Sequence, residues 1–220
     1  MKIGLICEGI TDYIVLENLL CNYLTIDDED IKQLQPLLDE TDKKQANFGG
    51  WEQVLVYLQS TDFVNAVENH DYLIVQIDTD VCEHKNFGVS PISLADNNQA
   101  QFYELIKQRL ISQINQRYND NFEKYAPKII FCICIHSLEC WLLIHYQTTQ
   151  TKQEKITGCE NSLNNTLNKQ NLAYKKDYAH YNKLSQKIKP KDIELIAKHS
   201  FSFGQFLQQV KVLQLLTITS

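Results

Sequence analysis

The stretch Tyr72-Leu-Ile-Val-Gln-Ile-Asp78-Thr79-Asp80 decides how the chain is read. Its apolar run, rich in β-branched residues, predicts a buried strand, and that strand ends on carboxylates. The same form occurs near the start of the chain, where Ile3-Gly-Leu-Ile-Cys7 meets Glu8-Gly9. It occurs again at Lys128-Ile-Ile-Phe-Cys-Ile-Cys-Ile135, which is followed by Ser137-Leu138-Glu139. Continuous apolar runs of this kind suit strands covered on both faces. Glu8, Asp78 and Glu139 then occupy the carboxyl ends of strands.

Helical patterns separate these runs. Ile14, Val15, Leu16, Leu19 and Leu20 recur on one helical face after Glu8, with Thr11 as the expected N-cap. Residues 31–38 hold a weaker strand pattern, and Gly49-Gly50 opens a helix through Trp51, Val54, Leu55 and Leu58. Residues 81–97 read as loop, and a long amphipathic helix is expected over 99–118. A further helix runs from Cys140 toward His145 and Tyr146. Strands alternating with helices define an α/β fold with a mainly parallel sheet flanked by helices, whose ligands gather beyond the carboxyl ends of the strands. Beyond Gln147 the composition shifts to Asn, Gln, Thr and Lys, so residues 148–220 are expected to form a helical extension on or beside a domain of residues 1–147.

The bulk properties permit an enzyme. A chain of 220 residues with 44% hydrophobic and 22% charged residues buries a sizeable core. Its formal charge of −6 supplies no global positive field to attract nucleic acid. The seven cysteines form an odd set without a CxxC pair, which fits reduced thiols and a cytoplasmic location. The N-terminus lacks the form of a signal peptide, and no apolar run reaches the ~20 residues of a membrane span.

Paired carboxylates at strand ends are what a hard divalent cation requires. Asp78 and Asp80 are two apart, so along an ideal strand both point the same way and can share an ion with Glu8. Without an ion such a cluster repels itself, which is the physical reason to expect Mg²⁺ or Mn²⁺. A lone DxD is, however, more often a capped turn. Asp12 either joins the acidic set or caps the helix that begins beside it. Tyr174-Lys175-Lys176, ahead of Tyr178, His180 and Tyr181, is the best basic and aromatic patch for a phosphate or a base, although a solvated lysine pair explains it as well. Lys183, Lys187, Lys189 and Lys191 make the tail locally basic. Cys132, Cys134 and His136 share a face of the third strand and offer zinc-type donors, but buried apolar cysteines account for them better.

Taken jointly, Glu8-Gly-Ile-Thr-Asp12 after a first strand and Asp78-Thr-Asp80 after a later one resemble the TOPRIM domain of topoisomerases, primases and OLD-type nucleases. Ser137-Leu-Glu139-Cys-Trp-Leu-Leu-Ile-His145 resembles the Glu-x-Trp-Leu-Leu-x-His segment of RloB-like proteins, a TOPRIM branch associated with defence against phage. The resemblance implies a TOPRIM-like, Rossmann-like catalytic domain over residues 1–147. It makes Glu8 a metal ligand and general acid or base, and Asp78 and Asp80 metal ligands. It offers Asp12 as a ligand of a second ion and Glu139 as a later acidic member that completes the metal shell or, alternatively, orients a lysine or arginine. Lys176 is the candidate for charge assistance. The expected activity is Mg²⁺- or Mn²⁺-dependent hydrolysis of DNA or RNA, with an ABC- or AAA-type ATPase as partner and a homo-oligomer as a further option. The alternative is a non-catalytic TOPRIM subunit of such a complex. The DxDxxG form is absent, since no glycine closely follows Asp80.

Overall fold

The computed structural model describes residues 1–36, 50–89, 91–147, 154 and 156–218. Strands β1 (Ile3–Ile6), β2 (Ile31–Gln35), β3 (Tyr72–Asp78) and β4 (Ile129–Cys134) form one sheet in the order β2-β1-β3-β4. Every pairing is parallel. Helices α1 (Ile10–Leu24), α2 (Trp51–Leu58) and α3 (Thr61–Asn69) lie between the first three strands in the chain. Helices α4 (Leu94–Asn97), α5 (Gln99–Asn115) and α6 (Asn121–Tyr125) precede β4, and α7 (Glu139–Tyr146) follows it. Helices α8 (Cys159–Lys169), α9 (Tyr178–Ser185), α10 (Pro190–His199) and α11 (Phe201–Ile218) complete the chain.

Alternation along the strands builds a separate apolar layer on each face of the sheet. Ile3, Leu5 and Cys7 of the first strand region join Ile74, Ile130, Cys132 and Cys134 against α1, α7 and the helices after residue 158. Ile6, Leu73, Val75, Ile77, Phe131 and Ile133 point the other way, onto α2, α3 and α5. The C-terminal helices therefore complete one of the two layers. Trp141, Phe203 and Phe206 pack ring against ring across that junction, and the Trp141 indole N–H donates to Ser202 Oγ at 3.0 Å. Tyr181 is fully buried in the same layer.

Several expectations shift in detail. The first helix begins at Ile10, with Gly9 at its N-cap and Thr11 as its second residue. The long helix stops at Asn115 rather than residue 118. The segment after Asp80 is a series of turns, and its last four residues before Asn98 form α4. The second strand closes at Gln35; Leu37 and Leu38 of its expected span lie outside the described residues, as does Gly49. Cys140 is bonded to Cys159, against the expectation of thiols throughout, while Cys7, Cys21, Cys132 and Cys134 are free. The two cysteines, 19 residues apart, are brought together because α7 and α8 pack side by side. Among the described residues no helix is long and apolar enough to cross a membrane.

Candidate active site

The chain leaves β1 toward β2 on one side and later places β3 on the other, so the strand order reverses between β1 and β3. At such a switch point the connections diverge and open a crevice beyond the carboxyl ends of the strands. Glu8 follows β1 and Asp78 ends β3, so both stand at that crevice.

They are joined directly. The Asp78 backbone N–H donates to Glu8 Oε1 at 2.6 Å. Gln76, buried on the same face of β3, accepts from the Glu8 backbone N–H at 3.0 Å and donates to Asp78 Oδ1 at 2.9 Å. An amide fits here because it offers both an acceptor and donors from one planar group. Gln76 therefore holds the two acidic positions in register, a role that sequence reading missed. Its signal was a lone polar residue inside an otherwise apolar strand.

Asp80 stands differently from its expected place. The strand ends at Asp78, Thr79 turns inward to full burial, and Asp80 reaches the exposed rim. The backbone N–H groups of Thr79 and Asp80 both donate to the His136 carbonyl, at 2.8 and 3.0 Å. His136 returns a hydrogen bond from its own N–H to Thr79 Oγ1 at 2.8 Å. The acidic turn is thus fixed to the end of β4 rather than continuing the pleat.

Asp12 lies in the first turn of α1, its Oδ2 about 3.0 Å from where a β-carbon on Gly9 would stand. The backbone N–H groups of Asp12 itself and of Gly9 draw its carboxyl down, which fits a cap at the start of α1. The same group feels Glu139 most strongly among the charges nearby. Burial, then Glu139, pushes the Asp12 carboxyl up to about 7. Glu8 is raised well above the usual carboxylate range by desolvation and by Asp12, and Asp78 by burial, Asp12 and Glu8. Partial desolvation raises Asp80 too, with His136 and Lys176 pulling the other way. Each of these groups resists the charge that its neighbours carry.

Glu139, at the start of α7, is the exception. Burial pushes its carboxyl up, but Lys176 and the Tyr181 hydroxyl outweigh that and hold it below its ordinary value. Lys176 Nζ stands 3.3 Å from Glu139 Oε1 and 3.4 Å from Glu160 Oε2. The Tyr181 hydroxyl donates to Glu139 Oε1 at 2.6 Å and lies 2.9 Å from the Tyr174 hydroxyl. Tyr181 is therefore core and cannot stack a base, and Lys175 pairs with Asp177 at 3.2 Å. The basic and aromatic patch expected from sequence is largely engaged internally. Glu160 and Tyr181 are partners that sequence reading did not anticipate.

Glu8, Asp12, Asp78, Asp80 and Glu139 thus share one electrostatic field with Lys176. Among the described residues, no three of these carboxylates bring oxygens within 4.8 Å of one another. The donor set is hard oxygen on several elements, five carboxylates against one lysine, a chemistry that fits a divalent cation such as Mg²⁺ or Mn²⁺. Cys132, Cys134 and His136 form no zinc-type trio, in keeping with the reading of the two cysteines as buried apolar residues, because His136 has a positive φ of 69° and leaves the strand's alternation. Among known proteins, no family model, no curated protein and no solved structure matches the chain.

Proposed function

We propose that the chain is a TOPRIM-type, metal-dependent phosphodiesterase acting on DNA or RNA in the cytoplasm, and an effector of defence against phage. The observation that carries this reading is the set Glu8, Asp12 and Asp78 at the β1/β3 switch point, where Lys176 compensates only in part and all three stay above the usual carboxylate range. Like charges gathered in a desolvated crevice cost stability unless a cation joins them. Mg²⁺ or Mn²⁺ would be held by Glu8, Asp78 and Asp80, with Asp12 beside them, and would supply Lewis-acid polarisation of a phosphoryl oxygen and a more acidic water.

The chain's own residues have distinct parts. Glu8, fixed through the Asp78 N–H, holds a ligand oxygen in place and is the candidate general base. Asp12 titrates near neutrality and can take or return a proton in the crevice. Lys176 presents positive charge at the rim and, through Glu139, keeps the β4 side of the cleft neutral. With a formal charge of −6, the chain needs help to hold a polyanion, which supports a partner such as an ABC- or AAA-type ATPase; a second copy of the same charge would not supply it.

A second reading, a TOPRIM-fold subunit without catalysis, draws on the spacing of the carboxylates, which do not close to a single-ion cluster among the described residues. Titration with Mg²⁺ or Mn²⁺ against plasmid, single-stranded DNA and tRNA separates the two. Cleavage that requires the ion and disappears in Glu8→Ala supports the enzyme. Ion binding with no cleavage, alone or with an ATPase partner, supports the subunit.

A further inference from the structure

We infer that His136, Cys140 and Cys159 form a zinc site in the reduced protein, for which the Cys140–Cys159 disulfide is the oxidised, metal-free alternative. One ring nitrogen of His136 and the two sulfurs lie within 4.8 Å of one another. A tetrahedral Zn²⁺ with Zn–S of about 2.3 Å sets its sulfurs about 3.8 Å apart, inside that span. Both cysteines are buried, at 3% and 0% exposure. His136 Nδ1 is also buried and has no hydrogen-bond partner, although buried polar atoms ordinarily find one. The ring that carries this unpartnered nitrogen is the one with a nitrogen beside the two sulfurs, and a metal bound to the ring would supply the missing partner.

The local fold holds this arrangement. His136 takes a left-handed backbone, φ 69°, which a residue with a β-carbon adopts at a cost. Its N–H and its carbonyl make three hydrogen bonds with Thr79 and Asp80, and these stabilise that conformation. Cys140 and Cys159 sit in the first turns of α7 and α8, so two packed helices present their sulfurs to one another. Two thiolates and an imidazole form a soft donor set that selects zinc over Mg²⁺, leaving a fourth position to water.

The redox step balances with a dithiol as reductant. The dithiol delivers two electrons and two protons to the Cys140–Cys159 bond, which breaks to two thiols while the dithiol closes to its own disulfide. Zn²⁺ then displaces both thiol protons to solvent and forms two Zn–S bonds and one Zn–N bond. Because Cys140 adjoins Glu139 and the His136 carbonyl anchors the Asp80 turn, the ion would fasten α8 to the rear of the acidic crevice.

Anaerobic Co²⁺ titration of the dithiol-reduced full chain tests the proposal. One Co²⁺ should give a thiolate-to-metal charge-transfer band and tetrahedral d–d bands, all abolished by added Zn²⁺. Cys140→Ser and Cys159→Ser should lose the charge-transfer band, and His136→Ala should weaken binding by at least about tenfold. Glu8→Ala should leave the bands unchanged, since carboxylates give no such transition, which separates this site from the proposed nuclease centre. No thiolate band in the reduced wild type, or a band that persists in Cys140→Ser, overturns the assignment. If the serine variants do not fold, zinc-edge X-ray absorption of the wild type decides, with two sulfur ligands expected and an all-oxygen or nitrogen shell refuting it.

Discussion

The two sides of the crevice treat buried carboxylates in opposite ways. On the β4 side, Glu139 is almost wholly buried, yet Lys176 and Tyr181 hold its carboxyl below the ordinary value. On the β1/β3 side, burial and the neighbouring carboxylates outweigh the pull of Lys176 on Glu8 and Asp12, and Glu8, Asp12 and Asp78 are all raised. Burial works in the same direction on both sides, so the difference lies in the partners. Lys176 outweighs burial at Glu139, its direct ion-pair partner, and is itself outweighed at Glu8 and Asp12.

The largest expected effect falls on the β1/β3 side. Glu8→Ala and Asp78→Asn should each reduce ion-dependent cleavage on the order of 100-fold or more, because each removes a proposed ligand. Initial rates on the substrate found by the screen check this, and full activity in either variant would remove the β1/β3 set from the chemistry. Gln76→Leu should cost about 1–3 kcal/mol in urea unfolding, since it leaves the Glu8 N–H unsatisfied in a buried place. An unchanged midpoint would mean that the bridge does not hold the two acids together.

Lys176→Met tests the β4 side. Glu139 then keeps the Tyr181 hydrogen bond and loses its ion pair. Lys176 is 53% exposed, so screening reduces the loss to about 1–2 kcal/mol. The sign follows from the depressed carboxyl. Its stabilisation is full above the ordinary glutamate value of 4.5 and fades as pH falls through the lower folded value. Wild type and variant should therefore differ most near neutral pH and converge in acid. A constant gap would assign the loss to packing of the lysine stem.

How much of this was readable in advance depends on the range of the interaction. The strands at Ile3, Tyr72 and Ile129 were legible because a parallel strand covered on both faces leaves a continuous apolar run, and each run ends on or just before the residues that form the crevice. The same logic misplaced Asp80. Two-residue alternation assumes that the strand continues, whereas the hydrogen bonds to the His136 carbonyl end it at Asp78. The strand alternation that grouped His136 with Cys132 and Cys134 failed for the related reason that His136 turns left-handed. Tyr181 lies 42 residues from Glu139, and Glu160 pairs with Lys176 across a packed helix. Neither leaves a local pattern, because helix packing makes both contacts.

The smallest effect is the most discriminating about Asp12, which both caps α1 and faces the acidic set. Its folded carboxyl is raised from 3.8 to about 7, so the folded protein binds more protons than the unfolded chain between those values. Stability of the ion-free protein should then be greatest in acid and fall as pH rises from 3.8 toward 7. This window lies mostly above the one set by Glu139, so the two contributions separate along the pH axis. In Asp12→Asn the amide oxygen can still accept the Gly9 N–H while the titration disappears, so the fall in Tm across that window should shrink by several degrees. Saturating Mg²⁺ should flatten the wild-type curve in the same range, because an ion supplies the counter-charge that Lys176 provides only in part. If the asparagine variant keeps the full slope, Asp12 is a cap alone, and Glu8 and Asp78 carry the repulsion without it.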